Sequence, residues 1–307
     1  MLQCRRALRS AFRAGHVGLI HHVTFASDWL PTPAVGVGAR YIWGPVGGST
    51  SAPRSLVRRL TLRGRIAERV RTITSTVSRV ILVRRTIRGA SLCIALNDDS
   101  KATLLRAGAR RVVTRPNAVI EFAERDRSST YAGVGHRDGR PTAAYVGRLV
   151  EWKGLSLAIE ALARPEMADW RLIVAGSGPS AGLFSQLAQR LGCADRVDFL
   201  GHVPRSDVAS ILSSSDAFVF PSFHDSAPWA VAEAAAFGLP VICFPLGGGS
   251  TLAGSLARLI DLTNPVESIA SHLRAVTERR DERRPTSDWT RSSLLYDLEM
   301  IYGEVQR

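Results

Sequence analysis

From Pro141 to about Ile260 the sequence alternates short apolar runs with helix-length inserts: TAAYVG (142–147), RLIVA (171–175), VDFL (197–200), AFVF (217–220) and PVICF (240–244). Each run suits a strand buried on both faces and is too short for a helix, and helices between successive strands force those strands to run parallel. Ligands of such a sheet collect beyond the carboxyl ends of its strands, which directs attention to the loops that follow them. Those loops read GRLVEWKG (147–154), GSGP (176–179), GHVP (201–204), PSFHDSAPW (221–229) and PLGGGS (245–250). Any one of them is an ordinary turn of an α/β protein, whereas the five in this order point to a site.

The preceding part is built differently. GLIHHVTF (18–25) reads as a strand, a loop punctuated by Pro31 and Pro33 follows, and Arg40–Trp43 reads as a second strand leading into a GPVGG loop at Gly44–Gly48. From Ser55 to Arg88 the pattern is helical, with Ile66, Val70, Ile73, Val77 and Ile81 at spacings of three and four, and this apolar face is expected to pack on the sheet of its own domain. A strand at Ser91–Leu96, a helix at Asp99–Ala107 and a strand at Arg111–Val113 complete it. Residues 124–141 are polar, Gly-containing and aperiodic, as an interdomain linker is. The expected organisation is an N-terminal domain over 1–123, that linker, a second domain over 142–285, and a closing helix over 286–307. At 307 residues the chain is long enough for two cores.

Charge divides along the same line. The formal net charge is +13, of which residues 1–140 carry +17 and the remainder −4. Such a basic half implies a polyanionic partner, and the ten arginines between Arg58 and Arg88 that accompany the helical stretch would reach anionic headgroups at a membrane surface. Nucleic acid is not expected, because no aromatic interleaving or nucleic-acid module accompanies the charge. No apolar run approaches a membrane span, and Arg5, Arg6, Arg9 and Arg13 with no apolar stretch behind them do not make a secretory leader. Cys4, Cys93, Cys193 and Cys243 are scattered, forming neither a zinc pattern nor a disulfide framework. A cytoplasmic protein, peripheral on the inner face of the plasma membrane, is the expectation.

The strand-end loops carry groups suited to a nucleoside diphosphate. Arg148 and Lys153 follow the first strand of the second domain, one a planar fork and the other a point charge, and both can converge on a pyrophosphate whose negative charge grows as it departs. Pro228 favours a helix start just after Asp225, which would present free N–H groups there. Glu233 falls in the second turn of that helix, within AVAEAAA, where a carboxylate needs hydrogen-bond partners such as vicinal hydroxyls. No DxD-like pair stands at a strand end, so metal-independent chemistry is expected, with no cofactor.

Taken together, GRLVEWKG, VAGSGP, VDFLGHVP, SSSDAFVFPS and HDSAPWAVAEAAAFGLPVI resemble the donor domain of glycosyltransferase family 4, a retaining family of GT-B fold. HHVTF and YIWGPVGG resemble later strands of the acceptor domain in its bacterial exopolysaccharide branch, and WTRSSLLYDLEMIYGEV (289–305) resembles its closing helix. The resemblance implies an α/β GT-B-like fold of two facing Rossmann-like domains with parallel sheets. The N-terminal domain is expected to be incomplete by about 60 to 90 residues, since βαβ units of 30 or more residues are missing. It implies transfer of a sugar, with retention, from a UDP- or GDP-sugar to a glycan or lipid-linked acceptor in cell-surface polysaccharide synthesis. A catalytically inactive remnant that binds nucleotide sugar or a partner chain is the alternative.

By the same resemblance Asp225 and Glu233 match the family's acidic pair, with Asp225 one methylene shorter than the usual Glu. Glu233 would hold the ribose hydroxyls, and Asp225 would face the donor sugar beside Arg148 and Lys153. Gly176, Gly178, Gly201, His202, Ser226, Ala227 and Trp229 would complete the donor site. Where many relatives carry an acceptor-domain histidine this chain has GPVGG, which leaves His22, next to His21 at the end of another strand, as the candidate.

Overall fold

The computed structural model describes residues 2–23, 26–120, 139–278 and 289–306. Most of the expected linker, 124–138, lies outside the described residues. Two compact units are formed, one from Met1–Ser51, Ile66–Asn117 and Arg291–Arg307, the other from Ala52–Arg65 and Ala118–Thr290. Each carries one parallel, Rossmann-like sheet, the α/β architecture that the alternating pattern implies.

In chain order the elements begin with α1 (Leu2–Arg13), β1 (Leu19–His22), β2 (Ala26–Ser27), β3 (Arg40–Gly47), α2 (Arg54–Val57), α3 (Leu62–Ser78), α4 (Arg84–Gly89), β4 (Leu92–Ala95), α5 (Asp98–Arg106) and β5 (Val112–Thr114). Apart from α2 and the start of α3, these belong to the first unit. Its strand order is β1-β3-β4-β5, with β2 pairing the far end of β3. One face of this sheet is closed by Trp43, Val83, Ile87 and Leu104. The other is closed by Ile42, Leu92 and Ile94 against Ile301 and Val305 of α12 (Arg291–Gln306), the helix that ends the chain. α5 starts where Asn97 Oδ1 accepts from Ser100 N–H at 2.9 Å and Asp98 and Asp99 occupy the first turn, so the orphan amides are both capped and electrostatically matched.

This half departs from its sequence pattern in three respects. GPVGG is not a loop: Gly44–Gly47 continue β3, which shifts register against β4 between Trp43 and Val46. Gly44 sits at φ +140°, and a Cβ there would land on the Ile94 carbonyl oxygen, so this glycine serves close strand packing. The helical stretch is broken into α2, α3, a π-helical turn at Arg79–Val83 and α4. Its apolar face does not pack on the sheet: Ile66, Val70, Ile73, Val77 and Ile81 are all exposed, while Glu68 and Ser75 point inward. Glu68 is tolerated there because Arg71 pairs with it at 2.6 Å and also donates to the Thr50 carbonyl at 3.0 Å. Helix α1, unforeseen among its arginines, adds Leu8 and Phe12 to the core.

The second unit comprises β6 (Thr142–Val146), α6 (Leu155–Leu162), β7 (Arg171–Ala175), α7 (Ala181–Arg190), β8 (Val197–Gly201), α8 (Arg205–Ser213), β9 (Ala217–Phe220), α9 (Trp229–Ala236), β10 (Val241–Cys243), α10 (Gly249–Ala253), β11 (Ala257–Leu259) and α11 (Pro265–Glu278). Its strand order is β11-β10-β9-β6-β7-β8, so the winding reverses between β6 and β9. Both faces are covered, one by Leu157, Leu162, Phe184 and Leu273 and the other by Val208, Leu212, Val231 and Leu252. That double coverage is why these strands read as unbroken apolar runs.

Candidate active site

The reversal between β6 and β9 leaves a crevice at their carboxyl ends, where neither flanking crossover covers the loops. Its sides are the segments 147–154 and 221–229, tied together by the Phe223 N–H donating to the Trp152 carbonyl at 2.9 Å. Lys153 ends a single helical turn, Glu151–Lys153, and its ammonium is ion-paired to Asp225 Oδ2 from the opposite loop. The pair is largely enclosed, with 14% of the Lys153 and 20% of the Asp225 side chain exposed. Aromatic rings wall it in: the Lys153 Nζ lies 5.1 Å from the Trp152 ring centroid and 5.2 Å from that of Phe220. His224 stacks on Trp152 at 4.3 Å. A cation screened from water by ring faces and held by one carboxylate is well placed to meet a second, stronger anion.

Arg148, on the same loop as Lys153, is exposed and borders a cavity of about 210 Å³ with Gly147, Gly176, Ser177 and His202. The loops around that cavity are held by main-chain bonds, Gly147 N–H to Ala175 O at 3.0 Å, Leu149 N–H to Ser177 O at 2.9 Å and Gly176 N–H to Gly201 O at 2.7 Å. Gly176 has φ +151°, and a Cβ on it would overlap the Gly147 carbonyl oxygen. Gly176→Ala is therefore expected to destabilise the second unit by about 2 kcal/mol or more, through both backbone strain and forced separation of β6 from β7. A lowered thermal unfolding midpoint checks this, and an unchanged midpoint would remove Gly176 from the site's framework. Gly178 and Gly201 do not line the cavity; Gly178 packs against the Leu149 backbone and Gly201 ends β8.

Glu233 lies in the second turn of α9, and Pro228 is the residue before that helix, not within its first turn. Asp225 is tied to the neighbouring glycine turn by Gly248 N–H donating to its carbonyl at 2.8 Å, and Ser226 and Ala227 lead from it to the helix. The Glu233 carboxylate is 19% exposed and stands 3.3 Å from Arg205 Nη2, whose guanidinium lies 5.0 Å from the Trp229 ring centroid. Burial pushes the Glu233 carboxyl above its ordinary range, and Arg205 opposes that. Glu233, Arg205 and Trp229 border a cavity of about 680 Å³ that Val208, Leu212 and Phe237 also line.

His22 belongs to the first unit, at the end of β1. Its Nδ1 is buried without a hydrogen-bond partner among the described residues, and burial, with His21 adding to it, holds its pKa below the ordinary imidazole value. His21 instead is engaged by Tyr302 Oη at 2.7 Å and the Gly44 carbonyl at 3.0 Å.

Trp152, His224 and Arg205 were not singled out from the sequence, although each adjoins a motif that was. Trp152 lies inside GRLVEWKG, His224 precedes Asp225, and Arg205 follows GHVP. Among the described residues no trio of His, Cys, Asp or Glu is grouped to hold a metal ion, and no helix is long and apolar enough to cross a membrane.

Residues 126–291, more than half of the chain, match the family described as glycosyl transferases group 1, and the protein belongs to that family. D-inositol 3-phosphate glycosyltransferase of Mycobacterium marinum is 32% identical over 180 residues, covering 55% of this chain and 38% of that protein. TuaC of Bacillus subtilis, a glycosyltransferase assigned to teichuronic acid biosynthesis, is 34% identical over 144 residues, covering 46% and 33%. The chain thus spans well under two thirds of the length of these relatives. In fold it is similar to Anabaena HepE solved with UDP, at a TM-score of 0.68 and 18% identity over 97% of this chain and 81% of that one.

Proposed function

We propose that this protein is a retaining hexosyltransferase that moves a sugar from a nucleoside diphosphate to a glycan or lipid-linked acceptor in cell-surface polysaccharide synthesis. The observation that carries the reading is the enclosed Lys153–Asp225 pair at the β6/β9 reversal, with Arg148 on the loop after β6 and Glu233 in the second turn of α9. Lys153 leaves Asp225 for the pyrophosphate, and Arg148 adds a second positive charge where the leaving group becomes more negative. Asp225, released, accepts from the donor sugar's hydroxyls, and Glu233 accepts from the ribose diol. The bond between the anomeric carbon and the β-phosphate oxygen breaks, and the acceptor oxygen bonds to that carbon from the same face. The departing phosphate oxygen is then the nearest base for the acceptor proton. Gly176, Gly178, Gly201 and His202 shape the donor end, and Ser226, Ala227 and Trp229 the sugar and ribose end; His22, at the end of β1 in the first unit, is a separate candidate for binding substrate. Names of relatives support the substrate class: one carries a D-inositol 3-phosphate glycosyltransferase name, another a teichuronic acid biosynthesis name, and HepE was solved with UDP.

The test is to incubate the protein with labelled UDP- and GDP-sugars and a bacterial lipid extract. Label entering the lipid or glycan fraction, with the anomeric configuration unchanged by NMR, is the expected result. Nucleotide binding with no label transferred to any fraction would favour the inactive remnant. In the same assay Arg148→Ala is expected to lower transfer about tenfold or more, since a charge-assisted hydrogen bond contributes roughly 1.5 to 3 kcal/mol.

A further inference from the structure

Helix α3 is inside out. Its inward face carries Glu68, Arg71 and Ser75, and Ser78 Oγ there donates to the Trp29 carbonyl at 2.6 Å. Arg79, in the turn that follows, closes the same side by pairing at 2.9 Å with Asp28, which is wholly buried. The outward face from Ile66 to Leu82 is a continuous apolar ridge, each side chain about half exposed or more: Ile66 54%, Val70 54%, Ile73 61%, Val77 49%, Ile81 70% and Leu82 58%. A helix obeying only its own unit's core would be rotated the other way, because exposing that much contiguous apolar surface is unfavourable and burying Glu68 requires a dedicated partner.

The ridge is bordered by exposed arginines: Arg69 along the helix, and Arg84, Arg85 and Arg88 beyond the π-helical turn. No acidic side chain is exposed between Ile66 and Arg88, because Glu68 is turned inward. Apolar residues ringed by cations are suited to the boundary between headgroups and acyl chains of an anionic bilayer, where the ridge inserts and the guanidinium groups reach phosphates. The same ring opposes a second copy of this chain, since like charges would face one another across the interface.

We infer that α3 and the turn after it form a membrane-docking surface, seated on an anionic leaflet by the ridge Ile66–Leu82 and the flanking Arg69, Arg84, Arg85 and Arg88. This deepens the reading of a lipid-linked acceptor, and it makes adsorption partly hydrophobic where charge alone would be wholly screened by salt.

The experiment is flotation of the whole protein with vesicles of phosphatidylcholine alone and of phosphatidylcholine mixed with phosphatidylglycerol, without donor or acceptor. Three proteins are compared: the wild type, Ile73→Glu with Val77→Glu, and Arg84→Ala with Arg85→Ala. The expected result is binding to anionic vesicles that persists in part at high salt for the wild type. The glutamate pair is expected to bind about tenfold more weakly or less, and the alanine pair to bind weakly with little remaining salt dependence. Both pairs replace exposed side chains, and an unchanged thermal midpoint confirms that each variant is folded. No difference between anionic and neutral vesicles, or glutamate variants that bind as the wild type does, would overturn the inference. So would a wild type that self-associates and is made monomeric by the glutamate pair without affecting flotation. Because no sugar is present, failed flotation with intact sugar transfer removes the docking surface alone, whereas flotation with failed transfer removes the transferase reading alone.

Discussion

Lys153→Ala is expected to lower affinity for a nucleoside diphosphate by tenfold or more and to destabilise the second unit at the same time. Both effects come from one pair. The ammonium is the enclosed cation at the β6/β9 crevice, and without it Asp225 is left as a carboxylate that is only 20% exposed. Breaking such a pair costs about 1 to 3 kcal/mol, more than an exposed pair and less than one fully removed from water. The two effects separate in the double variant: Asp225→Asn in the Lys153→Ala background restores most of the stability, because no charge is stranded, but does not restore nucleotide affinity. Unfolding midpoints and calorimetry on the single and double variants measure this. Recovery of affinity along with stability would mean that Lys153 acts only as a structural partner.

Glu233→Gln is expected to do the opposite to stability while also losing ligand. Burial raises the Glu233 pKa, so the folded state holds its proton to higher pH than the unfolded chain does. Between the unfolded and folded values the native state binds more protons. Stability contributed by this group is therefore greatest below that window and falls as pH rises through it. The neutral glutamine removes that cost, and the variant is expected to unfold at the same temperature as the wild type or higher at neutral pH. If the proposed contact of Glu233 with a ribose diol holds, the weaker amide acceptor is expected to lower affinity for the nucleoside diphosphate about tenfold. For the wild type, affinity should weaken on acidification through the raised pKa, a dependence that the glutamine variant lacks. A glutamine variant that binds as tightly as the wild type would limit Glu233 to its contact with Arg205.

The second unit was legible in detail because its strands are covered on both faces, and RLIVA and AFVF coincide with β7 and β9. Strand β11 was not legible, since Ala257–Leu259 forms an edge with partly exposed side chains and an arginine at its centre. In the first unit, periodicity revealed an amphipathic helix but not its orientation. Spacing shows that Ile66, Val70 and Ile73 share a face. Only the tertiary contacts, Arg71 donating to the Thr50 carbonyl and Arg79 pairing with Asp28, show that the opposite face is the buried one. GPVGG looked like a loop because glycine marks turns more often than it marks close strand packing. At the site, residue types at strand ends were readable one loop at a time. Partners across loops were not: Lys153 and Asp225 are 72 residues apart, and Arg205 reaches Glu233 from another helix. Those pairings depend on the winding order of the sheet, which local pattern does not encode.

Isothermal titration of the wild-type protein with UDP and with GDP, with Arg148→Ala as the paired control, decides whether the carboxyl-end loops of the second unit hold a nucleotide sugar. Saturable binding of one nucleoside diphosphate per chain, weakened about tenfold by the variant, is the predicted result. Absence of binding to both nucleotides, or binding that Arg148→Ala leaves unchanged, would contradict it.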